Sequence, residues 1–385
     1  MAPTGVEVGT LEPSGDRVAA RLRIGGVEHD LWYAAGEVPL ARSADAALVA
    51  GLLVAMRRGE PLRVADPISP RLLEAVDEIQ AILSAWDRRY RAVEVIAEPG
   101  EPAGAAREVG TASFFTGGVD SWYTALRHRD ALDALVYVHG FDVRLADATR
   151  RERVSAWLRE GAEALGIPLV EVATNLRDIT RPICGWHLYH GAALASVALL
   201  LGGRFDRVLL PATHTYRDLM PLGSHPLLDP LWSTEPVELV HEGAANRVDK
   251  LAVVAEFEPA LASLRACWQE DAVDHNCGRC EKCLRTMAGL RLLGVLDRAP
   301  TFPGELPLGR LRRQALSPGK LAYAHETLDA AERYGPDPEL ERALRSLIRR
   351  GPGRHARRER LRDARRAVGR GRRRAIRRAR RRLGR

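Results

Sequence analysis

Two short segments hold residue types at spacings that can do chemistry. In the first, Thr116-Gly-Gly-Val-Asp-Ser121, a pair of glycines stands between an apolar run, Ser113-Phe-Phe, and the start of an amphipathic segment. Strand, glycine turn and helix start in this order make an anion site. Without side chains at Gly117 and Gly118, backbone N–H groups can approach phosphate oxygens, and the helix N-terminus adds unpaired donors and partial positive charge. Thr116 and Ser121 offer hydroxyl donors. Asp120 suits a phosphate only with a divalent cation between them, a condition that magnesium pyrophosphate meets. The plainer reading is a tight strand-to-helix turn capped by Asp120 or Ser121.

The second segment holds Cys267, Cys277, Cys280 and Cys283, spaced Cys-x9-Cys-x2-Cys-x2-Cys. Four thiolates satisfy tetrahedral Zn²⁺ with no open position, and Gly278 permits the tight turn that brings neighbouring sulfurs onto one metal. An iron–sulfur cluster is the rival, because Cys-x2-Cys-x2-Cys also ligates such clusters. The fifth cysteine, Cys184, is far away and reads as an ordinary buried thiol.

The hexapeptide resembles the PP-loop, Ser-Gly-Gly-x-Asp-Ser, of the ATP pyrophosphatase or adenine nucleotide alpha hydrolase superfamily, with Thr116 keeping the hydroxyl of the usual serine. The resemblance implies that the loop binds the β,γ-pyrophosphate of ATP with Mg²⁺, that a substrate oxygen attacks the α-phosphate, and that an amine or sulfur nucleophile then displaces AMP. It assigns ATP binding to Phe115, Thr116, Gly117, Gly118, Val119, Asp120 and Ser121, the last two with catalytic roles, and to the peptide of Val138 at the end of the second strand. A Cys quartet of nearly this spacing, C-terminal to such a loop, resembles the 7-cyano-7-deazaguanine synthase family. There the quartet binds structural zinc, and ATP and ammonia turn a carboxylate into a nitrile. The resemblance covers about Val109 to Gly294 and implies an ATP-dependent ligase acting on a small-molecule acid with ammonia or another nucleophile. The deazapurine-binding residues of that family find no match here, so acceptor and nucleophile stay open.

Further candidates follow the fourth strand of this region. The segment Pro211 to Thr234 is too long for a mere connection and gathers Thr213, His214, Tyr216, Asp218, His225, Asp229 and Trp232. Thr213, Tyr216, Asp218 and Asp229 are expected to meet substrate and His214 to act as a base; the alternative is an ordered loop whose polar groups satisfy its own backbone. Lys250 resembles the basic residue that reaches phosphate before the last helix of the superfamily, with a solvated surface Lys as the alternative. His187 and His190, three apart on an apolar helix, read as core.

These residues need a scaffold. Short apolar runs at Thr111–Phe115, Ala134–Val138, Pro168–Val172, Arg207–Pro211 and Val237–Val240 alternate with helical segments at 120–128, 147–165, 185–201 and 247–264. Such alternation predicts an α/β fold, a doubly wound, mostly parallel, Rossmann-like sheet whose ligands sit beyond the carboxyl ends of the strands. Residues 1–105 read as a small α+β domain, with strands at 17–24 and 29–34, helices at 45–57 and 70–88, and a last strand at 93–96. The breaker-rich stretch near 98–106 marks a boundary. The core domain with its zinc element (267–283) is expected over 106–298, a helical extension over 299–348, and a disordered Arg-rich tail over 349–385.

Charge patterning supports that division. The chain of 385 residues carries +8, but residues 349–385 hold nineteen Arg against Glu359 and Asp363, a local +17 that leaves −9 for the rest. The body is acidic, so the basicity marks a tail able to contact polyanions such as RNA, and no basic face on the folded part. Only Lys250, Lys282 and Lys320 are lysines, and none completes a Walker A loop; kinase and dinucleotide signatures are absent as well. The first ten residues lack the pattern of a secretory signal, no apolar run spans a bilayer, and the cysteines suit a reducing compartment, so a cytoplasmic protein is expected. Two other functions stay open: a PP-loop enzyme that thiolates tRNA or forms lysidine, and a non-catalytic nucleotide-binding protein. Oligomeric state is not legible.

Overall fold

The computed structural model describes residues 5–36, 38–100, 110–267, 269 and 276–383, and for 363 and 365–383 the backbone alone. Two compact units emerge, one of Met1–Ala245 with Val253–Asp274, the other of Asn246–Ala252 with His275–Arg385.

The first unit is built on a largely parallel mixed sheet. Its strands are β1 (Val6–Val8), β2 (Glu12–Ser14), β3 (Arg17–Ile24), β4 (Val27–Ala34), β5 (Leu62–Val64), β6 (Val95–Ile96), β7 (Thr111–Phe114), β8 (Ala134–His139), β9 (Leu169–Thr174), β10 (Arg207–Pro211) and β11 (Glu238–Glu242). They lie in the order β11-β10-β7-β8-β9-β4-β3-β1-β5-β6, with β2 beside β3. From β7 to β11 all neighbours are parallel, with Leu209 opposite Ser113, Leu210 opposite His241 and Val138 opposite Val172.

Among the five parallel strands the chain starts in the middle at β7, steps outward to β8 and β9, then returns to the other side of β7 for β10 and β11. The strand order therefore reverses between β7 and β10. In open α/β sheets such a reversal is where loops leaving neighbouring strands diverge and ligands bind beyond the carboxyl ends. The Thr116–Ser121 turn leaves β7 and the long polar loop leaves β10.

Helices α1 (Ala44–Arg58), α2 (Pro70–Trp86), α3 (Val119–Arg127), α4 (Ala148–Leu165), α5 (Leu176–Thr180) and α6 (Trp186–Leu200) surround this sheet. One core holds α1, α2 and α6 against Phe114, Val136, Val138, Val172 and Leu210. It explains the composition of α1 and α6, which are apolar on nearly all sides because each lies between the sheet and its neighbours. On the other face Phe115 stacks edge-on against Trp122 of α3, and a Cβ on Gly161 of α4 would come within 2.9 Å of that indole.

The strands β1 to β6, expected in a small N-terminal domain over 1–105, share one sheet with the parallel strands. Strand β4 pairs antiparallel with β9, Tyr33 opposite Thr174 and Ala34 opposite Ala173, and this joins the N-terminal strands to the parallel ones. The Asn175 side chain reinforces the joint, accepting from Trp32 N and donating to the Asp30 carbonyl. Sequence reading missed the pairing because an edge strand carries no mark of its partner. Of the boundary stretch expected near 98–106, residues 101–106 lie outside the described residues.

Helices α7 (Arg247–Ala255) and α8 (Glu258–Ala262) replace the single helix expected over 247–264. Pro259 has no N–H for the preceding turn and instead opens α8. The second unit holds the first part of α7, up to Ala252, with α9 (Glu281–Leu292), α10 (Leu308–Leu311), α11 (Ala322–Tyr334) and α12 (Pro338–Leu383), whereas α8 belongs to the first unit. The tail expected as disordered from 349 is the continuation of α12, in line with the good helix propensity of Arg, Ala and Leu. The packed edge also passes that boundary, since Gly351 is buried and Arg354 donates from Nε to the Gln314 carbonyl at 3.2 Å and from Nη2 to that of Arg312. No helix among the described residues is long and apolar enough to cross a membrane.

Candidate functional site

The turn after β7 is shaped by one left-handed residue and one uncapped helix end. Gly117 has φ +69°, a conformation that strains any residue with a Cβ, and a Cβ there would lie 3.0 Å from Leu158 Cδ2. Gly118 is the N-cap of α3 and offers no side chain to the first-turn amides. Among the described residues none accepts from the N–H of Gly117 or Gly118, so these two donors open at the carboxyl end of β7.

The turn's carbonyls are held from behind. Arg265 donates its backbone N–H to the Gly117 carbonyl at 2.8 Å and Nη1 to the Thr116 carbonyl at 3.1 Å. Ser121 braces the turn from within, its Oγ donating to the Gly118 carbonyl at 3.0 Å and accepting from Thr116 N at 3.2 Å. Its proton is thus committed to the turn, where the sequence reading expected a donor to phosphate. Asp120 is half-buried on the first turn of α3. Phe115 and Val119 contribute buried side chains, and Val138 lies in the sheet core, which leaves only its peptide for a ligand.

Beside the turn, at the end of β8, stands a polar group that sequence reading left without a role. His139 Nε2 lies 2.8 Å from Glu171 Oε2 and 3.1 Å from Ser155 Oγ, and Arg159 reaches Glu171 Oε1 at 2.5 Å. Burial alone would raise the Glu171 carboxyl, but the bonds from His139 and Ser155 and the Arg159 charge win and bring it down to about 2. Tyr137 packs edge-on against His139, and burial pushes its phenol up to about 12 against the pull of Arg265.

The loop after β10 is clamped to α6. Gly191 and Gly223 meet backbone to backbone, so closely that a Cβ on Gly191 would fall 1.9 Å from the Gly223 carbonyl oxygen. Gly223 N donates to the His187 carbonyl at 2.9 Å, and Ser224 N to His190 Nε2 at 3.3 Å. His190 thus serves the loop, and the loop is ordered by its own bonds.

Asp229, expected to meet substrate, has no exposed surface and cannot touch one; it accepts from Ser224 Oγ, His225 N and His241 Nδ1 instead. Asp218 accepts from Thr215 Oγ1 at 3.0 Å and closes a local turn. Thr213 and His214 are half-buried near the carboxyl end of β10, and Tyr216 is exposed. Lys250, in the second unit, is 1 % exposed, which rules out the solvated alternative.

The sulfurs of Cys267, Cys277, Cys280 and Cys283 all lie within 4.8 Å of one another, so they can hold a metal ion. Cys277 and Cys283 are 3.8 Å apart, the edge of about 3.8 Å that a tetrahedron with Zn–S of about 2.3 Å requires. Two backbone amides already point at sulfur, Cys280 N at Cys277 Sγ (3.3 Å) and Cys283 N at Cys280 Sγ (3.4 Å), as donors suited to thiolates. Gly278 makes the turn between them at φ +61°, where a Cβ would meet Pro303 at 2.4 Å. Cys184 lies apart, buried against the Leu53 carbonyl, and burial pushes its thiol up to about 12.

No protein-family model, curated protein or solved structure matches the chain.

Proposed function

We propose that the chain is an ATP-dependent ligase of the PP-loop type, which cleaves ATP to AMP and pyrophosphate while activating a carboxylate or amide oxygen for attack by ammonia, an amine or sulfur. The observation that carries this reading is the Thr116–Ser121 turn at the point where strand order reverses, with the N–H groups of Gly117 and Gly118 open and the carbonyls of Thr116 and Gly117 held by Arg265. Donors fixed before the ligand arrives need no reorganisation when charge develops on the phosphates. Asp120 would hold Mg²⁺, whose charge would offset that of the bound phosphates. A carboxylate oxygen is a poor leaving group and an adenylate a good one, so ATP supplies activation and the protein supplies positioning.

Zn²⁺ on the four cysteines would have a folding role, since four thiolates leave no position for water or substrate. Incubating the protein with ATP, Mg²⁺, candidate acids and ammonia, and separating AMP plus pyrophosphate from ADP plus phosphate, tests the reading; acceptor-dependent ADP would refute it. A tRNA acceptor is the second reading, favoured by the Arg-rich continuation of α12 as a phosphate-binding arm. A reaction seen with tRNA and with no free acid would select it.

A further inference from the structure

The carboxylate of Asp229 is wholly buried, and an ionised carboxylate out of water is destabilising unless hydrogen bonds replace its hydration. Three do: Ser224 Oγ at 2.7 Å and His241 Nδ1 at 2.6 Å on Oδ2, and His225 N at 3.2 Å on Oδ1. Donation from Nδ1 fixes the His241 tautomer and leaves the lone pair on Nε2. That nitrogen takes no partner among the described residues and is not among the fully buried unpartnered atoms, so it keeps some solvent contact although the side chain is only 5 % exposed.

Neither of the other histidines of the cluster offers this. His190 gives Nδ1 to the Trp186 carbonyl and takes Ser224 N on Nε2, and His225 spends its Nδ1 lone pair on Leu227 N.

The sheet register sets where His241 acts. It stands opposite Leu210 on β10, and Leu209 stands opposite Ser113 on β7, so His241 is level with Phe114, two residues before Thr116. Two strand spacings, roughly 10 Å, separate it from β7 at the end of the sheet where the glycine turn opens.

We propose that His241 is the general base for the nitrogen nucleophile and that Asp229 is its positioning residue, an assignment that rests on the ligase reading. The ammonia lone pair forms the C–N bond to the adenylated carbon. The C–O bond to AMP breaks, its electron pair leaving on the phosphate oxygen. One N–H proton passes to His241 Nε2, and the imidazolium is held by Asp229 through Nδ1–H until water takes the proton.

The test begins with the full chain and diethyl pyrocarbonate, modified residues being mapped by mass spectrometry. His241 should be carbethoxylated, Asp229→Asn should slow its modification severalfold, and α,β-methylene-ATP with Mg²⁺, at a concentration that calorimetry shows to saturate, should protect it. An inert His241 overturns the proposal, as does a reactive one that saturating nucleotide leaves unprotected, and in both cases ATP binding stands. Absence of nucleotide binding by calorimetry removes the ligase reading and this assignment with it. With any acid that supports AMP release, His241→Gln should lower ammonia-dependent AMP formation about 100-fold, the lower range for a general base, while the pyrophosphate burst persists. Hydroxylamine, neutral near pH 7, should restore most of the lost turnover. A variant that loses the burst as well, or that uses ammonia normally, would show a structural role for His241 and end the proposal.

Discussion

The backbone N–H of Arg265 donates to the carbonyl of Gly117 at 2.8 Å, across 148 residues of sequence. Arg265 lies two residues before Cys267, the first of the four cysteines. The segment that leads into the cysteine cluster is therefore the one that holds the glycine turn.

Substitution in the turn should separate binding from folding. Gly117→Ala must place a Cβ at φ +69° and 3.0 Å from Leu158, a strain of about 1–2 kcal/mol. We expect ATP affinity measured by calorimetry to fall at least tenfold, with a drop of only a few degrees in Tm. Asp120→Ala should abolish AMP formation with Tm nearly unchanged, because the carboxylate is only half-buried and Asp120 is no part of the apolar core cluster. Full turnover in Asp120→Ala would make the turn structural.

Elemental analysis should find about one Zn²⁺ per chain. Cys→Ser at 267, 277, 280 or 283 should remove it and lower Tm before chemistry is altered, and chelation should weaken ATP binding through Arg265. Cys184→Ser, at a thiol that lies outside the cluster, should keep the metal. Iron with acid-labile sulfide in the purified protein would replace this assignment.

Acid should expose the Glu171 group. Its folded-state carboxyl sits at about 2, below the ordinary value of 4.5, so the stabilisation is present above pH 4.5 and is lost as pH falls towards 2. Glu171→Gln should thus lower Tm at pH 7 and flatten its decline between pH 4.5 and 2. An unchanged acid limb in the variant would contradict the network formed with His139, Ser155 and Arg159.

Truncation should locate the end of the folded part. Cutting after Arg358 removes most of the Arg-rich run and keeps Arg354 on the carbonyls of Arg312 and Gln314, so Tm and small-molecule turnover should hold while salt-sensitive RNA binding falls. Cutting after Arg350 removes those bonds and should lower Tm by several degrees. Equal stability of the two truncations would place the boundary at 349 after all.

The sequence by itself determined what depends on neighbours along the chain. The alternation of apolar runs and helical segments from Thr111 onward predicts the strands β7 to β11 to within a few residues, because burial on both faces demands short apolar runs. Thr116–Ser121 marks its own turn through two glycines, and the spacing of Cys277, Cys280 and Cys283 lets them meet. Tertiary structure decided what depends on residues far apart. That β4 pairs with β9 follows from sheet packing, since an edge strand's hydrogen bonds name no partner. Asp229 has the composition of a binding-loop residue, and only its burial against His241, on a different element, shows that it cannot meet a ligand. The position of His241 at the carboxyl end of the fifth parallel strand was a signal open to sequence reading. Its tautomer was not, because a hydrogen-bond partner twelve residues away becomes a neighbour only when the loop after β10 folds back against α6 and β11.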